Sequence, residues 1–226
     1  MEDPNPFPYS YQQSYAMTAK PKRRWPWIVG GIGLGCLGIF LLGALVIGAG
    51  VWMELSAKES SLAAAEREML LDAEAVAAWL DYTPDPSKEK AVRKTYFDKS
   101  FALEYEYDDT ATEDGIYINY SLHYERKKSD AVALYMPMWE STRLGLKIGG
   151  TADFMIEEHN ELLRWGERSR FGIVYNGTAP VGNVFVAQAE SRVVYLLLSG
   201  VYFEEAEAIS ELVSPYLEQV DQLSAR

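Results

Sequence analysis

A single cysteine and two histidines in 226 residues remove most metal and redox chemistry from consideration. A zinc site needs three or four ligands with His or Cys prominent. Cys36, His123 and His159 have no second His or Cys at a ligand spacing. One cysteine also allows no intrachain disulfide, so the folded part must hold together through its core alone. There is no G-x-S-x-G elbow and no Ser/Lys pair at catalytic spacing. The glycine cluster Gly30, Gly31 and Gly33 lies in an apolar run, where it cannot cradle a phosphate. Cations are the minority charge, 21 Lys and Arg against 33 Asp and Glu. Nucleic-acid binding needs the opposite balance, because phosphate neutralisation draws on a surplus of Lys and Arg. The expectation is a protein that is not an enzyme, holds no cofactor or metal, and does not bind nucleic acid.

What the chain does have is a long hydrophobic run. Ile28 to Trp52 carry no charged side chain over 25 positions. As a helix that run is about 37 Å long, enough to cross a hydrocarbon core of about 30 Å with some tilt. It is too long for the apolar core of a cleaved signal peptide. Lys20, Lys22, Arg23 and Arg24 precede it, whereas Lys58 and Arg67 are the first cations after it. The richer side stays in the cytoplasm. The sequence therefore predicts a cytoplasmic-membrane protein with a single span, its N-terminus inside and its C-terminal part outside. Trp25, Trp27 and Trp52 stand at the two ends of the run, where amphipathic rings favour the headgroups. Inside it, Gly31 and Gly35 are one helical turn apart, a small-x-x-x-small pair that lets two helices approach closely in lipid. They are the candidate helix-association residues.

Charge divides the chain the same way. Residues 1–26 carry four basic and two acidic side chains, whereas from Glu54 onward there are 17 basic and 31 acidic. Four regions follow: a disordered cytoplasmic tail at 1–24, a transmembrane helix at 25–53, a juxtamembrane helical stalk at 54–82 and an α+β domain at 83–226. The tail mixes Pro, Tyr, Gln and Ser without an apolar period. The stalk is rich in Ala, Glu and Leu, with Leu55, Leu62, Met69 and Val76 every seven residues. Asp72 and Lys58 occupy positions that a coiled coil needs apolar, so the stalk is expected to pack on its own domain. Pro84 and Pro86 end it.

Beyond a basic linker (Lys88, Lys90, Arg93, Lys94), Phe101, Leu103, Tyr105 and Tyr107 alternate with polar residues. Ile116, Ile118, Tyr120, Leu122 and Tyr124 do the same, and the acidic loop 108–115 joins the two runs. A period of two across such a loop predicts an antiparallel hairpin. Val132, Tyr135, Met136 and Trp139 then mark a helix that Pro137 should kink or split. Residues 151–162 fit helix or irregular structure. Three strands follow, around 163–175, 183–189 and 192–199, with turns at Asn176-Gly177 and Glu190-Ser191. Ile209, Leu212, Val213, Tyr216, Leu217 and Val220 give a terminal amphipathic helix. The order ββαβββα is expected to form an antiparallel sheet packed with helices.

Two polar groupings invite chemistry. The loop 108–115 offers carboxylates that calcium could use, but it lacks the alternating register of an EF-hand. His159 stands among Glu157, Glu158 and Glu161, a pattern that a solvated face explains at least as well.

Trp165-Gly166-Glu167-Arg168-Ser169, then Gly182-Asn183 and a strand, then Ser191-Arg192-Val193-Val194-Tyr195 and a terminal helix resemble PsbP-like extracytoplasmic domains. The resemblance spans residues 163–223 and rests on turn-and-strand patterns, with Glu-Ser where Gly-Asn is commoner. It implies a bacterial, non-catalytic binding or assembly module. The functional expectation is a membrane-anchored extracytoplasmic domain for ligand or protein binding in the cell envelope. The alternative is an accessory subunit of a larger membrane assembly that acts through span and stalk. The expected partners are the lipid bilayer and either a second copy or an envelope protein.

Overall fold

The structure is a computed structural model describing residues 57–80, 82–112, 115–149 and 154–223. The tail, the charge-free run and the pair Gly31 and Gly35 lie outside the described residues. Within them the chain order is β1 (Lys58–Ser60), α1 (Ala64–Arg67), α2 (Ala73–Ala77), β2 (Glu89–Thr95), β3 (Phe101–Asp108), β4 (Tyr117–Tyr124), α3 (Lys128–Gly149), β5 (Phe154–Glu158), β6 (Arg168–Asn176), β7 (Ala179–Ala189), β8 (Arg192–Ser199) and α4 (Ala206–Leu223). The eight strands form one antiparallel sheet in the order β1-β2-β3-β4-β8-β7-β6-β5. The architecture is α+β, as the alternating runs implied.

Period-two sequence becomes two-faced structure. One face presents Leu103, Tyr105 and Tyr107 of β3, Ile118, Tyr120 and Leu122 of β4, and Val194, Leu196 and Leu198 of β8. Ile209, Leu212, Val213, Leu217 and Val220 of α4 close over them, joined by Met69, Leu70, Leu71 and Val76. Asn183 ties the approach to α4: its amide donates to the Phe203 carbonyl at 3.0 Å and accepts from the Phe203 N–H at 2.7 Å. Arg192 holds the far end of the helix. It is buried, donates to the Val220 carbonyl at 2.7 Å and pairs with Asp221 at 3.1 Å.

The expected stalk is not one helix. Residues 57–80 form a three-residue strand and two short helices, and they contribute Leu70, Leu71 and Val76 to the core at no more than 1% exposure. Asp72 caps α2 through the Ala75 N–H. The seven-residue recurrence of Leu62, Met69 and Val76 therefore records burial against a sheet. For the same reason the boundary at residue 83 is corrected: the core begins before it. The basic linker is also strand. Glu89–Thr95 pairs along its length with β3: Lys90 and Lys94 fall on one face and Arg93 on the other, and each reaches a carboxylate. Residues 154–158, left between helix and irregular structure, form the edge strand β5. β1, β2 and β5 thus add to the ββαβββα order.

Pro137 neither splits nor ends α3, which runs from Lys128 to Gly149. Its missing N–H would have served the carbonyl of Ala133, and both residues are exposed, so that carbonyl stands open to solvent. α4 likewise runs through exposed Pro215. The turns at Gly177 and Glu190 adopt left-handed backbone, with φ of 65° and 51°.

Candidate functional site

The second sheet face is divided. α3 packs on it through Ala131, Tyr135, Met138, Trp139 and Leu146, against Phe154, Val174, Val184, Val186, Val193, Tyr195 and Leu197 of β5–β8. Gly172 of β6 makes the close fit with Trp139 possible. A Cβ there would lie 2.4 Å from Ile156 Cγ2 and 3.2 Å from Trp139 Cη2. The Arg170 guanidinium covers the Trp139 ring at 5.6 Å. Among the described residues α3 is the one helix on this face, and Tyr117 is the β4 residue in its hydrophobic cluster.

Beyond Tyr117 the same face continues over β2–β4 as a polar shelf. The register places Lys90, Val92 and Lys94 beside Glu106, Glu104 and Ala102, and these beside Asn119, Ser121 and His123. The shelf is internally hydrogen-bonded. Lys94 Nζ lies 2.9 Å from Glu104, Tyr117 donates to Glu106 at 3.2 Å, and Asn119 donates to the Tyr117 hydroxyl at 3.3 Å. Ser121 Oγ and His123 Nε2 are 3.1 Å apart. At the α3 wall, Thr142 Oγ1 donates to the Met138 carbonyl at 2.9 Å and lies 3.2 Å from the Tyr195 hydroxyl. Ala102 and Ser121 are buried although, among the described residues, no helix packs on this part of the face.

A serine 3.1 Å from an imidazole has the form of a nucleophile and its base. Acyl transfer also needs N–H donors aimed at a developing oxyanion. β4 is paired over its whole length with β3 on one side and β8 on the other, so its amides are spent in the two ladders. The pair therefore reads as part of a hydrogen-bonding surface.

The other sequence candidates fall elsewhere. His159 sits near β5, 3.0 Å from Glu161 and 3.6 Å from Glu157, on the opposite edge of the sheet from the shelf. Among the described residues no group of three or more His, Cys, Asp or Glu side chains is placed to hold a metal ion. In the loop 108–115, Asp108 is taken up by Thr110. Asp109 is buried and accepts from the Tyr82 hydroxyl at 2.6 Å, which also lies 2.7 Å from the Tyr107 hydroxyl. Burial, with the hydrogen bond to Asp109, raises the Tyr82 phenol above its ordinary range. These contacts fasten residues 82–88 to the strand ends, with the Asp85 N–H adding a bond to Tyr107.

A cavity of about 160 Å³ lies between Trp79 and the start of α4, lined by Glu205, Glu207, Ala208 and Glu211. Small-molecule sites usually offer about 300–1,000 Å³, so this one suits water or a single side chain. Sequence reasoning did not single out the shelf. Its signal was the polar half of the β4 alternation, Asn119, Ser121 and His123, whose partners on β2 were hidden in the supposed linker. No family model, no curated protein and no solved structure matches the chain.

Proposed function

We propose that the protein is a non-catalytic binding domain, anchored by a single N-terminal span and held outside the cytoplasmic membrane with its N-terminus inside. The charge-free run Ile28–Trp52 and the four cations before it support the anchor and its orientation. The likeness of residues 163–223 to PsbP-like domains supports a binding or assembly role. The polar shelf on β2–β4 carries the reading. It is rigid, because it stands on a sheet whose reverse face is closed by α4 and residues 69–76. Its amide, hydroxyl, imidazole, carboxylate and ammonium groups can exchange internal hydrogen bonds for bonds to a partner. A shallow surface of this kind fits another protein of the cell envelope better than a small molecule.

The test places a photo-crosslinking residue at Asn119 in the full chain, in its native membrane, with a control at exposed Ala133 on α3. A discrete adduct from position 119 and none from 133 is the expected result. The same adduct from both positions, or from neither, would remove the shelf as the binding surface.

The spacing of Gly31 and Gly35 favours a second reading, an accessory subunit that associates through its span. Replacing both with Leu keeps the span apolar and fills the groove. Loss of crosslinking through Cys36 in that variant would support association through the span, and unchanged crosslinking would exclude this face.

A further inference from the structure

We propose that the tip of the β2–β3 hairpin, residues 96–100, docks on an anionic lipid surface, steadied by the adjacent cations Arg126 and Lys127. The inference rests on the membrane anchoring proposed above and concerns how the domain sits on the bilayer. Phe97 at this tip is 84% exposed. The turn that presents it is ordered by its own hydrogen bonds. Tyr96 N–H donates to the Ser100 carbonyl at 2.9 Å, Lys99 N–H to the Tyr96 carbonyl at 3.0 Å, and Ser100 Oγ to Asp98 at 2.7 Å. Lys99 takes left-handed backbone, with φ of 73°, to close it. An aromatic ring held out in water by a rigid turn is suited to the headgroup layer, where amphipathic surroundings accept it.

The path of the chain brings that tip to the bilayer. Lys58 pairs with Thr95 and Ser60 with Arg93, so β1 has its N-terminal end at the tip's end of β2. Trp52, the last residue of the charge-free run, is six positions before Lys58. Six residues reach at most about 20 Å, so the tip's end of the sheet is tethered close to the membrane.

Charge along the strands agrees. Phe101 pairs with Tyr124 and their rings stack at 4.5 Å, which puts residues 125–127 next to the tip. Arg126, Lys127 and Lys99 are exposed there. Of the acids at that end, Asp98 is bonded to Ser100, Glu125 is half-buried, Glu167 and Glu190 face Lys128, Asp221 pairs with Arg192, and Glu161 lies beside His159 at the far, β5 edge. Asp130 stands exposed at the start of α3. The opposite strand ends carry Asp108 closing β3, then buried Asp109 facing Lys88, and Glu204, Glu205 and Glu207 after β8. A domain with this polarity presents its basic end to lipid phosphates and turns its acidic end away.

The experiment uses the full chain with Cys36→Ser, reconstituted in vesicles of phosphatidylcholine with phosphatidylglycerol or of phosphatidylcholine alone. A fluorophore is attached at Phe97→Cys or, as a control at the far end of β3, at Ala111→Cys, and quenching by brominated acyl chains is read. Quenching is expected at position 97 and not at 111. Arg126→Glu with Lys127→Glu should weaken docking about tenfold or more, and uncharged vesicles should weaken it similarly. Equal quenching at both positions, or quenching at 97 indifferent to charge, would overturn the proposal. A protein released from the vesicles by alkaline carbonate would overturn the anchoring itself. A retained but unquenched protein would overturn the docking alone.

Discussion

On the face that α3 shares, β7 and β8 present Val184, Val186, Val193 and Leu197, none more than 2% exposed. Further across the same face, β2 and β3 present Lys90, Lys94, Glu104 and Glu106 to one another and to solvent. The reverse face makes no such distinction, since Tyr105, Ile118, Leu196 and Phe185 are all fully buried. One sheet is therefore closed on both sides in β6–β8 and on one side in β2–β4, while the edge strand β5 leaves Met155 exposed on the reverse face. Closure on one side is enough for stability when the core beneath is continuous. What remains is a surface that folding does not need to keep polar groups away from, and it is where binding chemistry can be carried at little cost to the fold.

The largest expected effect breaks the closed half. Val186→Asp would place an unpaired carboxylate under α3, a cost of about 3–5 kcal/mol. Urea unfolding should show a collapsed midpoint or no folded protein. Next comes the segment before residue 83. Leu71 is fully buried, so Leu71→Ala should cost about 2–5 kcal/mol in the same measurement. An effect below about 0.5 kcal/mol, the usual range for surface changes, would return residues 57–80 to the status of a detachable stalk.

Two buried tyrosines on the closed face sharpen the comparison. Tyr105 accepts from the Ala73 N–H at 2.9 Å and so joins α2 to β3. Tyr105→Phe would orphan that buried donor, at about 1–3 kcal/mol. The Tyr120 hydroxyl is buried with no hydrogen-bond partner among the described residues, so Tyr120→Phe should be neutral or stabilising. Equal losses from the two would show that Tyr120 has a partner, such as an internal water.

Burial holds the phenols of Tyr105 and Tyr120 above their ordinary range. The unfolded chain loses those protons near pH 10 while the folded one keeps them, so stability is full below about pH 10 and declines as pH rises beyond it. Urea midpoints between pH 8 and 11 should fall at the alkaline end. A flat profile would mean that the phenols ionise alike in both states.

Much of this architecture was readable from the chain. β3 and β4 carried clear periods, β8 an apolar run, and α4 a clean apolar stripe, because each buries a regular set of residues. β2 was unreadable as strand because its Lys and Arg serve ion pairs, Arg93 with Glu66 and Lys94 with Glu104, and not a core. Residues 57–80 misled for the opposite reason. Their Ala and Leu content suits a long helix, but their apolar residues are needed on the sheet, and tertiary burial outweighs propensity. The shelf went unseen as a unit because one of its three strands is β2.

The most direct test of a shelf spared by folding and used in binding is the double variant Lys90→Glu, Glu106→Arg in the full chain, at two exposed positions paired across β2 and β3. Its urea midpoint and its capacity to form the position-specific envelope adduct, read from a photo-crosslinking residue at Glu104, are measured together. The expected result is a stability within about 1 kcal/mol of the unaltered chain, as for exposed substitutions, and loss of the adduct. A stability loss of several kcal/mol, or an adduct that forms undiminished, would contradict the account.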